Sequence, residues 1–137
     1  MEESSALTVS VSSFSYRSEI PHDEAKNGGG FVFDCRALHN PGCYTAYKNR
    51  TGKDTDVAAF LQSNSPVAAF LDSAEKLVAL SIQEYVRRSY QHLAVDFGCT
   101  DGQHHSVYCA EAMAQFIKDN FAHVHVELKH LELEKNA

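Results

Sequence analysis

The sequence predicts an α/β domain of three layers, with a mostly parallel sheet flanked by helices. Three observations predict it. Short β-branched or apolar runs alternate with longer stretches of helical apolar period, the pattern of strands joined by helices. Residues 93–97, 103–120 and 123–128 read as strand, helix and strand, so those two strands should be parallel with a right-handed crossover. The chain has 137 residues, 44% hydrophobic and 22% charged, which suits one globular domain with a real core. That single domain is expected over residues 1–137, with its core between about 7 and 131.

Each element has its own justification. Leu7-Thr-Val-Ser-Val-Ser-Ser-Phe-Ser-Tyr16 alternates and is β-branched, which predicts the first strand. The polar segment after it, ending in Asn27-Gly-Gly-Gly30, reads as a loop. Phe31-Val-Phe-Asp-Cys-Arg36 reads as a second strand, apolar enough to be central. Residues 37–53, with Pro41, Gly42 and Gly52, are irregular, and their polar residues cluster as in a functional loop. A helix begins near Asp54 or Thr55, both good N-caps, and covers Val57 to Leu61. The next begins after Asn64-Ser-Pro66, with Ser65 as cap and proline in the first turn. Its inward positions are Val67, Phe70, Leu71, Ala74, Leu77, Val78, Ser81 and Tyr85, through about Arg88. After the third strand at 93–97, the helix over 103–120 turns Val107, Ala110, Met113, Phe116 and Ile117 inward. The last strand, 123–128, is followed by a short charged tail.

Composition narrows the function. No apolar run approaches the ~20 residues of a membrane span, so no membrane partner is expected. The acidic start Met1-Glu-Glu-Ser-Ser5 is unlike a secretory signal. Four cysteines (35, 43, 99 and 109) at unequal spacings, without C-x-x-C, fit neither a zinc site nor a disulfide framework. Reduced thiols in a cytoplasm are the expectation. A formal net charge of −6 argues against tight non-specific nucleic-acid binding, which rests on neutralised phosphates.

The most informative stretch is Leu93-Ala-Val-Asp-Phe-Gly-Cys-Thr-Asp-Gly-Gln-His-His-Ser-Val-Tyr108. A strand, a Gly-containing loop and a helix start aim several backbone N–H groups at one point, and the helix N-terminus adds partial positive charge. That is an anion site, and phosphate is its usual biological occupant. If the second and third strands are neighbours, Asp34-Cys-Arg-Ala-Leu-His-Asn-Pro41 opens on the same edge. Asp34, Arg36 and Asn40 then face the anion loop across a crevice. Arg36 either binds the phosphate with its fork of donors or pairs with a surface carboxylate. Asp34 either takes a hydroxyl or amine of the ligand or caps its own loop.

Gly30-Phe-Val-Phe-Asp-Cys-Arg-Ala-Leu-His-Asn-Pro41, Thr51-Gly-Lys-Asp54 and Gly98-Cys-Thr-Asp-Gly-Gln-His-His-Ser-Val-Tyr108 together resemble the C-terminal domain of the RapZ family, across roughly residues 7–131. The resemblance implies a fold similar to the ligand-binding part of phosphofructokinases. It implies binding of a phosphorylated small molecule such as glucosamine-6-phosphate, or of a nucleotide, in a sensor or regulatory module without catalysis or cofactor. RNA binding, a partner protein and homo-oligomerisation are further implications. Carried over by motif, the ligand residues are Asp34, Arg36, Asn40, Cys99, Thr100, Gly102, His104 and Ser106. Asp101 and His105 complete the loop. The chain is expected to be this domain alone, without the family's N-terminal kinase-like domain.

Departures from the family are informative. Its loop reads Gly-Cys-Thr-Gly-Gly-x-His-Arg-Ser, whereas Asp101 and His105 here remove positive potential from an anion site. The acidic-to-balanced end of this chain replaces a basic tail, which counts against RNA. No Gly-Lys-Ser/Thr follows Gly98, so the loop is no Walker A motif. The spacing Cys-x5-Arg-Ser belongs to cysteine-dependent phosphatases, but His105 stands at the arginine position and lacks its permanent fork. His123 and His125 would share a strand face, either as metal ligands or, as expected, as solvent-facing residues. Cys109 reads as core. Lys48, Arg50 and Lys53 form a basic cluster that either extends the phosphate site or solvates a loop.

Overall fold

The computed structural model describes residues 6–18, 20–21, 29–38, 51–63, 65–100 and 102–135. Asn40, Asp101, Lys48 and Arg50 therefore lie outside the described residues. The elements run β1 (Thr8–Ser15), β2 (Gly30–Asp34), α1 (Thr55–Gln62), α2 (Ser65–Arg87), β3 (His92–Cys99), α3 (His105–Asn120), β4 (His125–His130) and α4 (Leu131–Lys135). The four strands form one sheet in the order β2-β3-β1-β4, and every pairing is parallel. This is the expected α/β architecture, a parallel sheet flanked by helices.

Alternation places the core. Val9 pairs with Leu93 and Val11 with Val95, so these side chains share one face, and all are buried. The steps β2→β3 and β3→β4 run in the same direction across the sheet, so right-handed crossovers set their helices on that face. There α3 packs on β1, β3 and β4, α2 on β3 and α3, and α1 on α2 and α3. Val57, Leu61, Val67, Leu71, Ala74, Val78, Ile82, Met113 and Ile117 close the core beneath them. On the opposite face, polar side chains satisfy one another across strands, with Ser10 Oγ 2.7 Å from His92 Nε2 and Ser12 Oγ donating to Asp96 at 2.5 Å. Phe14 also points there, next to α4.

Five expectations need correction. β2 is an edge strand, not a central one. Its apolar run reflects Phe33 stacked on Phe97 at 5.1 Å and edge-on to Phe70 at 6.0 Å, while Val32 on the other side is 48% exposed. β4 begins two residues late, because Val124 N–H closes a turn onto Phe121 O at 3.0 Å. His123 therefore sits before the strand and shares no strand face with His125. In α2, Leu77 is 50% exposed while Ile82 is buried, since the regular stripe Val67, Leu71, Ala74, Val78 and Ile82 leaves Leu77 one residue out of phase. The charged tail forms α4. Asp54 is the N-cap of α1, but its carboxylate accepts from Thr51 N–H at 2.7 Å and caps no helical N–H. Among the described residues, no helix is long and apolar enough to cross a membrane.

Candidate functional site

The carboxyl ends of β1 and β3 make a crevice where the chain diverges. From β3 it enters α3 on the helical face. From β1 it turns through Tyr16, whose ring lies 4.9 Å from Phe14 on the other face. Such divergence between neighbouring parallel strands is where α/β sheets bind ligands. The two ends are stitched together: Tyr16 N–H donates to Cys99 O at 2.9 Å, and Ser15 Oγ donates to Thr100 O at 2.7 Å. Arg17 N–H in turn donates to Ser15 Oγ at 3.1 Å.

Close approach explains the glycines. A Cβ on Gly98 would lie 2.4 Å from the Phe14 ring and 2.5 Å from Tyr16. Gly102 has φ +72°, and a Cβ there would meet Ser15 N and Glu132 Cβ at 2.9 Å. This positive φ bends the chain back over β3, so that Gly102 N–H donates to Cys99 Sγ at 3.2 Å. Cys99 Sγ also lies 3.1 Å from Ser106 Oγ. The thiol thus fills the inside of the loop and ties its start to the first turn of α3. Cys99 is 5% exposed, and Gly102, His104, His105 and Ser106 are buried with it, whereas Thr100 stays open. α3 begins at His105, at this end of the sheet, and its dipole adds partial positive charge there.

The motif Thr51-Gly-Lys-Asp54 meets the same turn. Gly52 N–H donates to Gln103 O at 2.9 Å, and a Cβ on Gly52 would strike His104 O at 2.4 Å. Exposed Lys53 is carried to the rim by this contact.

β2 and β3 are neighbours, and Cys35 N–H donates to Gly98 O at 2.7 Å, so the turn after β2 opens on the same edge. Of the two readings of Arg36, the one with a carboxylate partner is observed, and the partner is Asp34. Arg36 Nε donates to Asp34 Oδ1 at 2.9 Å and Nη2 to Oδ2 at 2.7 Å, while Arg36 N–H caps Oδ1 at 2.9 Å. The Arg36 hydrogen bonds hold the Asp34 carboxyl below its ordinary range, and Asp34 raises Arg36 in return. The guanidinium lies 3.9 Å from the Tyr16 ring centre, so Arg36 reaches across the end of β3 to β1. Partial burial, then the Asp34 charge, raise the Tyr16 phenol.

Two arrangements escaped the sequence reading. His130, the last residue of β4, has Nδ1 2.7 Å from Ser13 Oγ and Nε2 2.6 Å from Glu111 Oε2. This chain joins β1, β4 and α3 just below the loop. Ser18, Glu132 and Lys135 form a second cluster, with Lys135 Nζ donating to Ser18 Oγ at 2.9 Å and Ser18 Oγ to Glu132 at 3.2 Å. With Phe14 and Leu131 they line a cleft of about 460 Å³ behind Gly102. The available signal was Ser13 and Ser15 on β1, polar at positions where Val9 and Val11 had set an apolar face. Cys109 is core, as expected. It hydrogen-bonds the Cys35 thiol, and that contact, with burial, pushes Cys35 far above the ordinary thiol range.

Residues 7–134 match the family model of the RapZ C-terminal domain. Similar proteins include a nucleotide-binding protein of Cereibacter sphaeroides, 35% identical over 96% of this chain and 41% of its own length. A nucleotide-binding protein of Cupriavidus taiwanensis is 35% identical over 96% of this chain and 43% of its own. One from Endomicrobium trichonymphae is 33% identical over 82% and 37%. The chain thus spans about two fifths of the length of these relatives.

Proposed function

The chain belongs to the RapZ C-terminal domain family, and from that premise we propose that it binds a phosphorylated small molecule as a regulatory module. The observation that carries this reading is the loop folded around the Cys99 thiol at the β1–β3 crevice, with the first turn of α3 behind it. Phosphate sits at the N-terminal end of α3, favoured by the helix dipole. Arg36 and Lys53 stand on the rim as cations, and Asp34, Arg36 and Thr100 offer exposed groups to the rest of the ligand. A sugar phosphate such as glucosamine-6-phosphate, which the family resemblance implies, is the first ligand to try. The relatives are named as nucleotide-binding proteins, which makes a nucleotide the second ligand to try.

Catalysis is not part of the proposal. The Cys99 thiol is turned inward onto Gly102 N–H and Ser106 Oγ, and His105 at the arginine position is 2% exposed. Neither a thiol so placed nor a buried imidazole is positioned to attack and grip an open phosphoryl group. RNA is disfavoured by the −6 charge.

Calorimetric titration with glucosamine-6-phosphate, ATP and inorganic phosphate, beside a structured RNA, separates these readings. The proposal expects saturable binding of a phosphorylated small molecule with weak salt dependence, and RNA binding no tighter than about 10⁻⁴–10⁻⁶ M at physiological salt. Sub-micromolar RNA binding, or turnover of an aryl phosphate that vanishes in Cys99→Ser, overturns it.

A further inference from the structure

Where α4 lies against β1, a cleft of about 460 Å³ remains behind Gly102. Its volume falls within the range of about 300–1,000 Å³ that small-molecule sites occupy. Phe14 and Leu131 give the lining an apolar part, and Ser18, Glu132 and Lys135 give it a polar one. Phe14 is fixed in place: its ring lies 4.9 Å from that of Tyr16 and packs so closely on Gly98 that a Cβ there would come within 2.4 Å.

The polar part holds one charge of each sign with a hydroxyl between them. Lys135 Nζ donates to Ser18 Oγ at 2.9 Å, Ser18 Oγ donates to Glu132 at 3.2 Å, and the two charges stand 3.6 Å apart. A simple anion meets repulsion from Glu132, and a simple cation meets it from Lys135. A free α-amino acid escapes both, because it carries an ammonium and a carboxylate on one carbon. The Lys135 side chain is 57% exposed, so it can turn from Glu132 to a ligand carboxylate at little cost. We propose that this cleft binds a free α-amino acid with an aliphatic side chain. The ligand ammonium sits on the Glu132 carboxylate, its carboxylate on Lys135 and the Ser18 hydroxyl, and its side chain against Phe14 and Leu131.

This site is separate from the β3 loop but shares a wall with it. A Cβ on Gly102 would lie 2.9 Å from Glu132 Cβ, so Glu132 packs against the loop at its positive-φ residue. Ser18 N–H donates to Ser15 O at 2.9 Å, and Ser15 Oγ holds Thr100 O at 2.7 Å. Occupancy of the cleft is therefore felt at Gly102.

Backbone amide shifts of the full chain, titrated with L-leucine, leucinamide, 4-methylpentanoate and glycine, test this. At about pH 6.5 the α-amino groups are charged. Leucine should give saturable changes at Ser18, Glu132, Lys135 and Gly102, and saturating inorganic phosphate should leave those at Ser18 and Lys135 in place. Leucinamide lacks the carboxylate and 4-methylpentanoate the ammonium, so each should bind about tenfold more weakly or worse. Glycine, without a side chain, should also bind more weakly. Lys135→Gln should no longer favour leucine over leucinamide, and Glu132→Gln should no longer favour it over 4-methylpentanoate, with circular dichroism unchanged in both. No saturable change at the cleft with leucine overturns the proposal. So do competition by phosphate, glycine binding as well as leucine, or discrimination that survives in both variants.

Discussion

The turns that follow β2 and β3 lie side by side on one edge of the sheet, yet they are built in opposite ways. The β3 loop is buried and closed around a thiol, and its shape depends on Gly102 at positive φ and on contacts with Ser15, Glu132 and Gly52. The β2 turn is exposed, and its charges satisfy each other through the Asp34–Arg36 fork over Tyr16. On the proposed reading the first is a frame fixed before any ligand arrives, which would remove part of the ordering cost of binding. The second supplies charges that can change partner at little cost, because an exposed ion pair contributes about 0–1 kcal/mol. Damage to the β3 loop should therefore cost fold and binding together, whereas damage to the β2 turn should cost binding alone.

The largest effect is expected at Gly102. Gly102→Ala adds left-handed backbone strain and a Cβ 2.9 Å from Ser15 N, for a loss of about 2–4 kcal/mol in chemical denaturation. Phosphate-ligand binding should fall with it. An unchanged denaturation midpoint would mean that the loop is looser than its contacts imply.

His130→Ala comes next. It strands the fully buried Ser13 hydroxyl, so stability should fall by about 1–3 kcal/mol. Glu111→Gln keeps an acceptor for His130 and should cost less. Equal losses in the two variants would show that the Ser13 contact is not the important one.

Arg36→Ala should leave stability within about 1 kcal/mol of wild type, as for other exposed pairs. Losing one charge-assisted contact, about 1.5–3 kcal/mol, should weaken phosphate-ligand binding roughly ten- to a hundredfold. A stability loss matching that at Gly102 would erase the contrast between the two turns.

The smallest effect concerns pH. The Arg36 hydrogen bonds lower the Asp34 carboxyl below 3.8, so its stabilising contribution is present above that value and fades as pH falls through the lowered one. Carboxyl carbon shifts should show Asp34 titrating low in wild type and back in the ordinary range in Arg36→Ala. Identical titrations in the two proteins would mean that the fork does not persist in solution.

Periodicity made most of the fold legible. The stripe on α2 and the β-branched alternation of β1 each answer to a local repeat, and both elements lie where that repeat ends. What local pattern does not carry is neighbourhood. An apolar five-residue strand looks central until Phe33 is found spanning the gap to Phe70 and Phe97 at the sheet edge. The loop after β3 was legible because strand, glycine and helix start are contiguous. The Ser13–His130–Glu111 chain was not, because Ser13 and His130 stand 117 residues apart and meet only through the pairing of β1 with β4. Arg36 was legible as a residue but not as a partner. Asp34, two residues away, is the carboxylate it holds, and only the turn brings them together.

The central claim is that an anion binds at the β3 loop and the first turn of α3. Backbone amide shifts during titration with inorganic phosphate, and then with glucosamine-6-phosphate, test it most directly. The account predicts the largest saturable changes at Thr100, Gly102, His104, His105 and Ser106 with both ligands, and additional changes at Asp34 and Arg36 with the sugar phosphate. Shifts confined to other surfaces, or none with any phosphorylated compound, would contradict it.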